Sequence, residues 1–214
     1  MKLFDAIIFD IDGTLTYTNE LIFESFRHIT RKFLNKPITD AEIIALFGPT
    51  EEDIILDWFG EKAAEVIEEY YHFYTRNHHI AGLYPGMKEI LTSLSKKHVP
   101  LGIFTGKGRR AAEITLAQTG VSEHFQMLVS GTDVVSHKPH PEGVLKLLAH
   151  FKTPKERTLI IGDAPGDIHA ARGAGIKVAS GVWDSYAKEE VIRLMGDYLF
   201  HTVEELGAFL EEYA

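Results

Sequence analysis

Residues 6–14 read AIIFDIDGT, and this stretch decides the fold. An apolar, β-prone run ends in Asp10 and Asp12, which lie two positions apart and are followed by Gly13. Such a run is typical of a strand in a parallel sheet that is buried on both faces. Two carboxylates at the end of that strand suit a divalent metal or paired nucleophilic and acid–base roles, and they suit an Asx-type turn equally well.

Outward from this stretch, apolar runs alternate with helical patterns. The predicted strands are residues 3–9, 99–104, 126–130, 158–161 and 176–179. The predicted helices are residues 87–97, 109–119, 141–150 and 166–174. Strands that alternate with helices predict an α/β fold with a doubly wound parallel sheet.

Residues 16–80 break this alternation. Ile22, Phe26, Ile29 and Phe33 follow one another at intervals of four, three and four residues, the spacing of one face of a helix. A second long helical pattern covers residues 63–74, and turn residues follow at 82–86. We therefore predict an inserted all-helical domain at residues 16–82 and a core domain made of residues 1–15 and 83–214.

Composition excludes several classes of function. The 214 residues include 22 Lys+Arg and 31 Asp+Glu, which gives a net charge of −9 and argues against nucleic acids and anionic membranes as partners. Cysteine is absent, so disulfides and thiolate chemistry are excluded. The apolar runs are too short to span a bilayer, and two aspartates interrupt the N-terminal run. We expect a cytoplasmic protein, as a monomer or a homodimer.

A second acidic pair follows another predicted strand. Asp163 lies at the end of that strand, and Asp167 lies where the next helix opens. A helix cap explains Asp167 but not Asp163. If the two strands are neighbours, four aspartates meet at one sheet edge and repel one another, so a cation is needed. Oxygen ligands favour Mg²⁺.

Two further segments are suited to binding phosphate. Thr105 and Gly106 follow a predicted strand and precede a helix, so a hydroxyl and a free backbone N–H lie together. Lys138 lies in a loop that contains Pro139 and Pro141, and this stiff loop favours a positioned lysine over a solvated one.

These motifs occur in an order that resembles the haloacid dehalogenase superfamily. The sequence shows Asp10-x-Asp12-Gly-Thr, then Thr105, then Lys138, then Gly162-Asp163 with Asp167. The helical insertion lies where that superfamily carries its C1 cap. Within the superfamily, the chain is most similar to the phosphoglycolate phosphatase and PpaX-like pyrophosphatase group. The resemblance implies a sheet with the strand order 5-4-1-2-3.

The resemblance also implies a role for each matching residue. Asp10 would attack phosphorus and form an aspartyl-phosphate, and Asp12 would act as acid and then as base. Thr105 and Gly106 would bind the transferred phosphoryl group, and Lys138 would neutralise charge beside it. Mg²⁺ would be bound by Asp10, the carbonyl of Asp12, Asp163 and Asp167. The substrate would be contacted from the cap by Gly48 and Thr50.

We therefore expect a Mg²⁺-dependent phosphatase that acts on a small phosphorylated metabolite, with a phosphoglycolate-type phosphomonoester favoured. Inorganic pyrophosphate and sugar phosphates are alternative substrates. A 2-haloacid dehalogenase would not need the acid Asp12, and a phosphomutase would want positive charge where Glu51 and Glu52 stand. A dinucleotide site at Gly106 and Gly108, or a non-catalytic binding protein, would leave the aspartates without a function.

Overall fold

A six-stranded parallel sheet forms the centre of the protein in a computed structural model that describes residues 2–214. The strands are Ala6–Phe9 (β1), Leu101–Phe104 (β2), Met127–Val129 (β3), Thr158–Gly162 (β4), Lys177–Gly181 (β5) and Tyr198–Phe200 (β6). They lie in the order β3-β2-β1-β4-β5-β6, and every neighbouring pair is parallel. The predicted α/β fold with a parallel sheet is confirmed.

The strand order differs from the prediction in one respect. Read from its other edge, the predicted order 5-4-1-2-3 describes the first five strands, but it lacks β6, which pairs with β5 at the edge of the sheet. β6 has only three residues, so its apolar run is too short to predict a strand from the sequence. The predicted order was therefore incomplete.

Helices cover both faces of the sheet. Ile7 and Phe9 of β1 belong to one apolar cluster, whereas Ile8 between them belongs to the cluster on the opposite face. The helices outside the insertion are Met87–Lys96 (α5), Arg109–Gln118 (α6), Glu142–Phe151 (α7), Pro165–Ala174 (α8), Lys188–Leu194 (α9) and Val203–Tyr213 (α10). The first cluster contains residues of α5, α6 and α10, and the second contains residues of α7, α8 and α9. Within residues 2–214, no helix combines the length and the apolar character that crossing a membrane requires.

Four α-helices lie between β1 and α5 and share an apolar cluster of their own. They are Asn19–Ile29 (α1), Asp40–Ile44 (α2), Glu51–Phe59 (α3) and Ala63–Arg76 (α4). Tyr70, Tyr71 and Tyr74 of α4 are buried in this cluster, and Ala111 of α6 also belongs to it. The helical insertion therefore packs against the rest of the protein through α6.

The chain leaves the sheet and returns to it at adjacent positions. The Tyr17 N–H donates to the Gly82 carbonyl at 3.0 Å, and the Tyr84 N–H donates to the Leu15 carbonyl at 3.0 Å. These bonds flank a short antiparallel bridge. The two connections to the helical insertion are thus paired like the strands of a hairpin.

Candidate active site

Three neighbouring strands deliver the candidate residues to one edge of the sheet. In the registers, Phe9 at the end of β1 is opposite Ile103 of β2 and Ile161 of β4. The residues that follow these strands, Asp10, Thr105 and Asp163, therefore emerge side by side. This is the carboxyl edge, where open α/β sheets bind their ligands.

Three of the four predicted aspartates form one buried cluster. Asp10, Asp163 and Asp167 each offer a carboxylate oxygen, and these oxygens lie within 4.8 Å of one another. The Ile11 N–H donates to Asp10 Oδ1 at 2.7 Å, and the Thr14 hydroxyl donates to Asp163 Oδ1 at 2.9 Å. The cluster is thus fixed by bonds from the loop after β1.

Lys138 is the cation of this cluster. Its Nζ lies 3.1 Å from Asp10 Oδ1 and 2.6 Å from Asp167 Oδ1. Burial lowers the pKa of Lys138, but the charges of Asp10 and Asp167 outweigh it and hold that pKa above its ordinary value. Lys138 is therefore a charged, positioned lysine, as its proline-containing loop predicted.

One ammonium group does not balance three buried carboxylates. Burial raises the pKa of Asp10 to about 7, against the opposing charge of Lys138. Burial also raises the pKa of Asp163 well above its usual range, and the charges of Asp10 and Asp167 add to the effect. A divalent cation would relieve this repulsion. Carboxylate oxygens are the ligands that Mg²⁺ prefers, and one from each aspartate lies within 4.8 Å of the other two, so the donor set fits that ion.

Two glycines make room for the cluster. Gly13 has a φ of +76°, and a Cβ at this position would overlap the carboxylate of Asp163. A Cβ at Gly162 would likewise overlap the side chain of Asp167. The close approach of these loops therefore requires residues without a side chain, and Gly13 also requires a backbone conformation that other residues rarely adopt.

Asp12 lies apart from the other three aspartates. Its Oδ1 accepts a hydrogen bond from the Thr18 hydroxyl and lies 3.2 Å from Lys107 Nζ. Its carboxylate is therefore turned away from the cluster and remains 22% exposed. Asp12 thus does not bring its side chain to the cation site, and metal binding through its carbonyl stays a prediction.

The predicted phosphate-binding residues lie at the end of β2. Thr105 is buried, and its hydroxyl accepts a hydrogen bond from the Lys107 N–H at 3.3 Å. No atom lies within 4 Å of the position that a Cβ of Gly106 would take, so this part of the loop borders open space. The arrangement leaves room for an anion beside Thr105 and Gly106.

The loop before α3 brings the helical insertion to the same edge. Thr50 is buried and caps α3, where its hydroxyl donates to Asp53 at 2.6 Å. Its methyl group packs so closely on Gly131 that a Cβ there would overlap it. Gly48 is exposed, with a φ of +143° and no atom near its Cβ position. Substrate contacts from Gly48 and Thr50 stay predictions.

The sequence analysis gave no role at the site to two residues that the structure places there. Lys107 is buried beside Asp12, and Glu51 accepts a hydrogen bond from the Gly108 N–H at 2.9 Å. The only sequence signal for Lys107 is its place in a glycine-containing loop after a strand. The same contacts argue against a dinucleotide site, because Glu51 occupies the Gly108 N–H. Asp133, the acidic residue that would bind the ribose in such a site, is paired with Arg109 at 2.6 Å.

Comparisons with known proteins agree with this arrangement. Residues 7–180 match the family described as haloacid dehalogenase-like hydrolase. The chain is 33% identical over 208 residues to the pyrophosphatase PpaX of Anoxybacillus flavithermus, an alignment that covers 96% of both proteins. It is 30% identical over 207 residues to the pyrophosphatase PpaX of Bacillus mycoides, again with 96% of each protein covered.

Solved structures share the fold. A predicted phosphoglycolate phosphatase from Haemophilus somnus superposes with a TM-score of 0.81 at 23% identity, covering 96% of this chain and 99% of that one. CbbY from Rhodobacter sphaeroides, solved with phosphate, gives a TM-score of 0.81 at 20% identity, covering 95% and 96%. With the family match over most of its length, the chain belongs to the haloacid dehalogenase-like hydrolases.

Proposed function

We propose that the protein is a Mg²⁺-dependent phosphatase that hydrolyses a small phosphorylated metabolite through an aspartyl-phosphate intermediate. The observation that carries this proposal is the buried cluster of Asp10, Asp163 and Asp167 with Lys138 Nζ between two of its carboxylates. An anionic nucleophile, a cation site and a fixed ammonium group at one sheet edge suit attack on a phosphate.

Each side chain has a separate task in this reaction. Asp10 attacks phosphorus as the bond to the leaving oxygen breaks. Thr105 and the Gly106 N–H bind the transferred phosphoryl oxygens, and Lys138 neutralises charge between them and Asp10. Asp12 protonates the leaving oxygen and then removes a proton from the water that attacks the aspartyl-phosphate, which typically accelerates such steps about 10²–10⁴-fold.

The metal would be held by the carboxylates of Asp10, Asp163 and Asp167 and by the carbonyl of Asp12. When bound, Mg²⁺ offsets the repulsion between the nucleophile and the anionic substrate. The carboxylates themselves are fixed by protein donors, since the Ala164 N–H donates to Asp167 at 3.1 Å and Thr14 donates to Asp163.

We propose that residues 16–82 form a cap domain over a core domain of residues 1–15 and 83–214. The contact of Glu51 with the Gly108 N–H supports a cap that lies against the phosphate-binding loop. Such a cap would exclude water from the site and would select the leaving group through residues near Gly48 and Thr50.

Three substrate classes remain in the proposal, and sugar phosphates are the third of them. A phosphoglycolate-type phosphomonoester is the substrate that we favour from the sequence. Inorganic pyrophosphate is the second candidate, because relatives at 30% and 33% identity are named pyrophosphatases. Glu51 and Glu52 both accept hydrogen bonds from Tyr71, so they are held where a phosphomutase would need a cation.

The test is phosphate release from phosphoglycolate, pyrophosphate and glucose 6-phosphate, with Mg²⁺ and with EDTA. We expect EDTA to abolish release from the preferred substrate and added Mg²⁺ to restore it. Asp10→Asn should abolish turnover because it removes the nucleophile. Asp197→Asn, which alters a carboxylate paired with Lys177 at 2.6 Å at the far end of the sheet, is the matched control. Release by Asp10→Asn at the parent rate would contradict the proposal.

A further inference from the structure

Lys107 is a buried cation that the proposed reaction does not yet use. It follows Gly106 in the loop after β2, and only 4% of its side chain is exposed. An ammonium group in such a place is destabilising unless other groups of the protein pair with it, because it has lost its contact with water. Its position therefore depends on the groups that face it.

Those groups come from both parts of the protein. From the core, Asp12 Oδ1 lies 3.2 Å from Lys107 Nζ. From the helical insertion, the ring of Tyr74 lies under the ammonium group, with its centroid 5.1 Å from Nζ. The carboxylate of Glu51 also contributes a favourable charge. Lys107 thus joins Asp12 to the buried face of α4.

The contact with Lys107 involves only one of the two oxygens of Asp12. Thr18 donates to the same oxygen, Oδ1, so two donors hold it. Among residues 2–214, no hydrogen-bond donor reaches Oδ2. The Asp12 side chain is 22% exposed, so it is not sealed inside the protein. One oxygen is anchored and the other is free.

We propose that Lys107 is a positioning residue for proton transfer, which fixes Asp12 so that its free Oδ2 faces the leaving oxygen while the helical insertion lies against the core. The proposal rests on the proposed phosphatase function. In the step concerned, the bond from Asp10 to phosphorus forms, the bond from phosphorus to the leaving oxygen breaks, and the proton on Oδ2 passes to that oxygen.

The test uses leaving groups that differ in their need for a proton. An alkyl phosphate such as phosphoglycolate needs one, whereas p-nitrophenyl phosphate releases a stable phenolate without one. For Lys107→Met we expect kcat/KM to fall about 10²-fold for the alkyl ester and less than about fivefold for the nitrophenyl ester, as the usual size of acid catalysis implies. Because Asp12 also activates water in the second step, a burst of about one equivalent of nitrophenolate should appear.

Further variants distinguish a positioning role of Lys107 from an effect on folding. Thr18→Val removes the other donor to Oδ1 and should give the same dependence on the leaving group. Tyr74→Leu removes the ring under Lys107 and should lower kcat/KM more for the alkyl ester than for the nitrophenyl ester, as in Lys107→Met. Lys146→Met, which alters an exposed lysine paired with Glu142, should match the parent.

The possible outcomes are distinct. Equal losses for both esters in Lys107→Met and Thr18→Val would overturn the positioning role, since a general defect in folding or binding has no preference for a leaving group. Parent-like kinetics in both variants would overturn it too. If the parent itself releases no phosphate from any ester or from pyrophosphate with Mg²⁺, the proposed function fails, and the inference fails with it.

Discussion

Asp163 is a buried carboxylate whose charge opposes folding when no cation is present. Its pKa is raised by burial and by its acidic neighbours. Such a group contributes stability below its unfolded pKa, near 4, and that stability is lost as the pH rises through the folded value. Asp163→Asn carries no charge at any pH. We therefore expect this variant to melt higher than the parent at pH 7.5 in EDTA, by about 2–8 °C for a gain of about 1–2 kcal/mol.

The control variant for this prediction should change the melting temperature in the opposite direction. Bonds from Lys177 and the Val178 N–H hold the pKa of Asp197 below its usual range despite partial burial, so Asp197→Asn should lower the melting temperature slightly. The difference in melting temperature between Asp163→Asn and the parent should become smaller toward pH 4. Mg²⁺ should stabilise the parent more than the variant. A lower melting temperature of Asp163→Asn at pH 7.5 in EDTA would contradict the argument.

The sequence predicted site residues best where a strand fixes them. Asp10, Thr105 and Asp163 directly follow strands, and parallel pairing brings strand ends together whatever the loops do. Lys107 could not be predicted in the same way. Its environment depends on Tyr74, which is brought to it only by the packing of α4 on α6.

At the level of elements, the short 3₁₀ helix His78–Ile80 that follows α4 contains a histidine that should make stability depend on pH. His78 is buried, and burial together with the charge of Lys107 lowers its pKa. A lowered pKa means that the stabilising contribution is present above the unfolded value, near 6.5, and is lost as the pH falls.

We expect the parent to lose more stability than His78→Gln between pH 7.5 and pH 5. The neutral glutamine can still bond the Thr115 hydroxyl, which lies 3.3 Å from His78 Nε2, and it does not take up a proton. Thermal melts in the same buffers measure the difference, and subtraction of the two curves cancels the titration of the aspartates. Parallel curves for the two proteins would show that His78 is not the group responsible.

The first and last residues of strands and helices were predicted less well than their presence, and β1 shows why. The apolar run predicts a strand from Leu3, but β1 begins at Ala6. The N–H groups of Leu3 and Phe4 donate to the carbonyl of Tyr213 instead, at 2.8 and 3.0 Å. An apolar pattern shows that a segment is buried, but it does not show which partner takes its backbone hydrogen bonds.

At the scale of the whole molecule, the helical insertion should open more readily than the sheet. β1 and β4 are buried throughout, whereas the apolar cluster of the insertion includes only Ala111 and Ile114 from the helices α5 to α10 of the described residues. Local opening follows such differences in packing. Hydrogen exchange should therefore be faster in α1 to α3 than in β1 and β4 under native conditions. Exchange of all these segments at one common rate would indicate a single cooperative unit.

The alternation of strands and helices predicted the sheet, and its interruption predicted where the helical segment lies. The substrate could not be predicted in this way. Under the proposed function, specificity would depend on the few atoms that the segment near Thr50 presents to the site, and this segment is placed by contacts such as that of Thr50 with Gly131. A pattern of apolar residues constrains such contacts only weakly.

The paired connections at Tyr17–Gly82 and Leu15–Tyr84 have an evolutionary consequence. Since the entering and leaving strands already sit together, the loop between them is closed at its base, and lengthening such a loop costs little entropy, about 0.6 kcal/mol for each doubling. Genetic insertion, deletion or exchange of residues between these two connections would leave the strand order of the sheet unchanged. The protein can thus gain a different inserted segment without any change in the sheet that carries the candidate site.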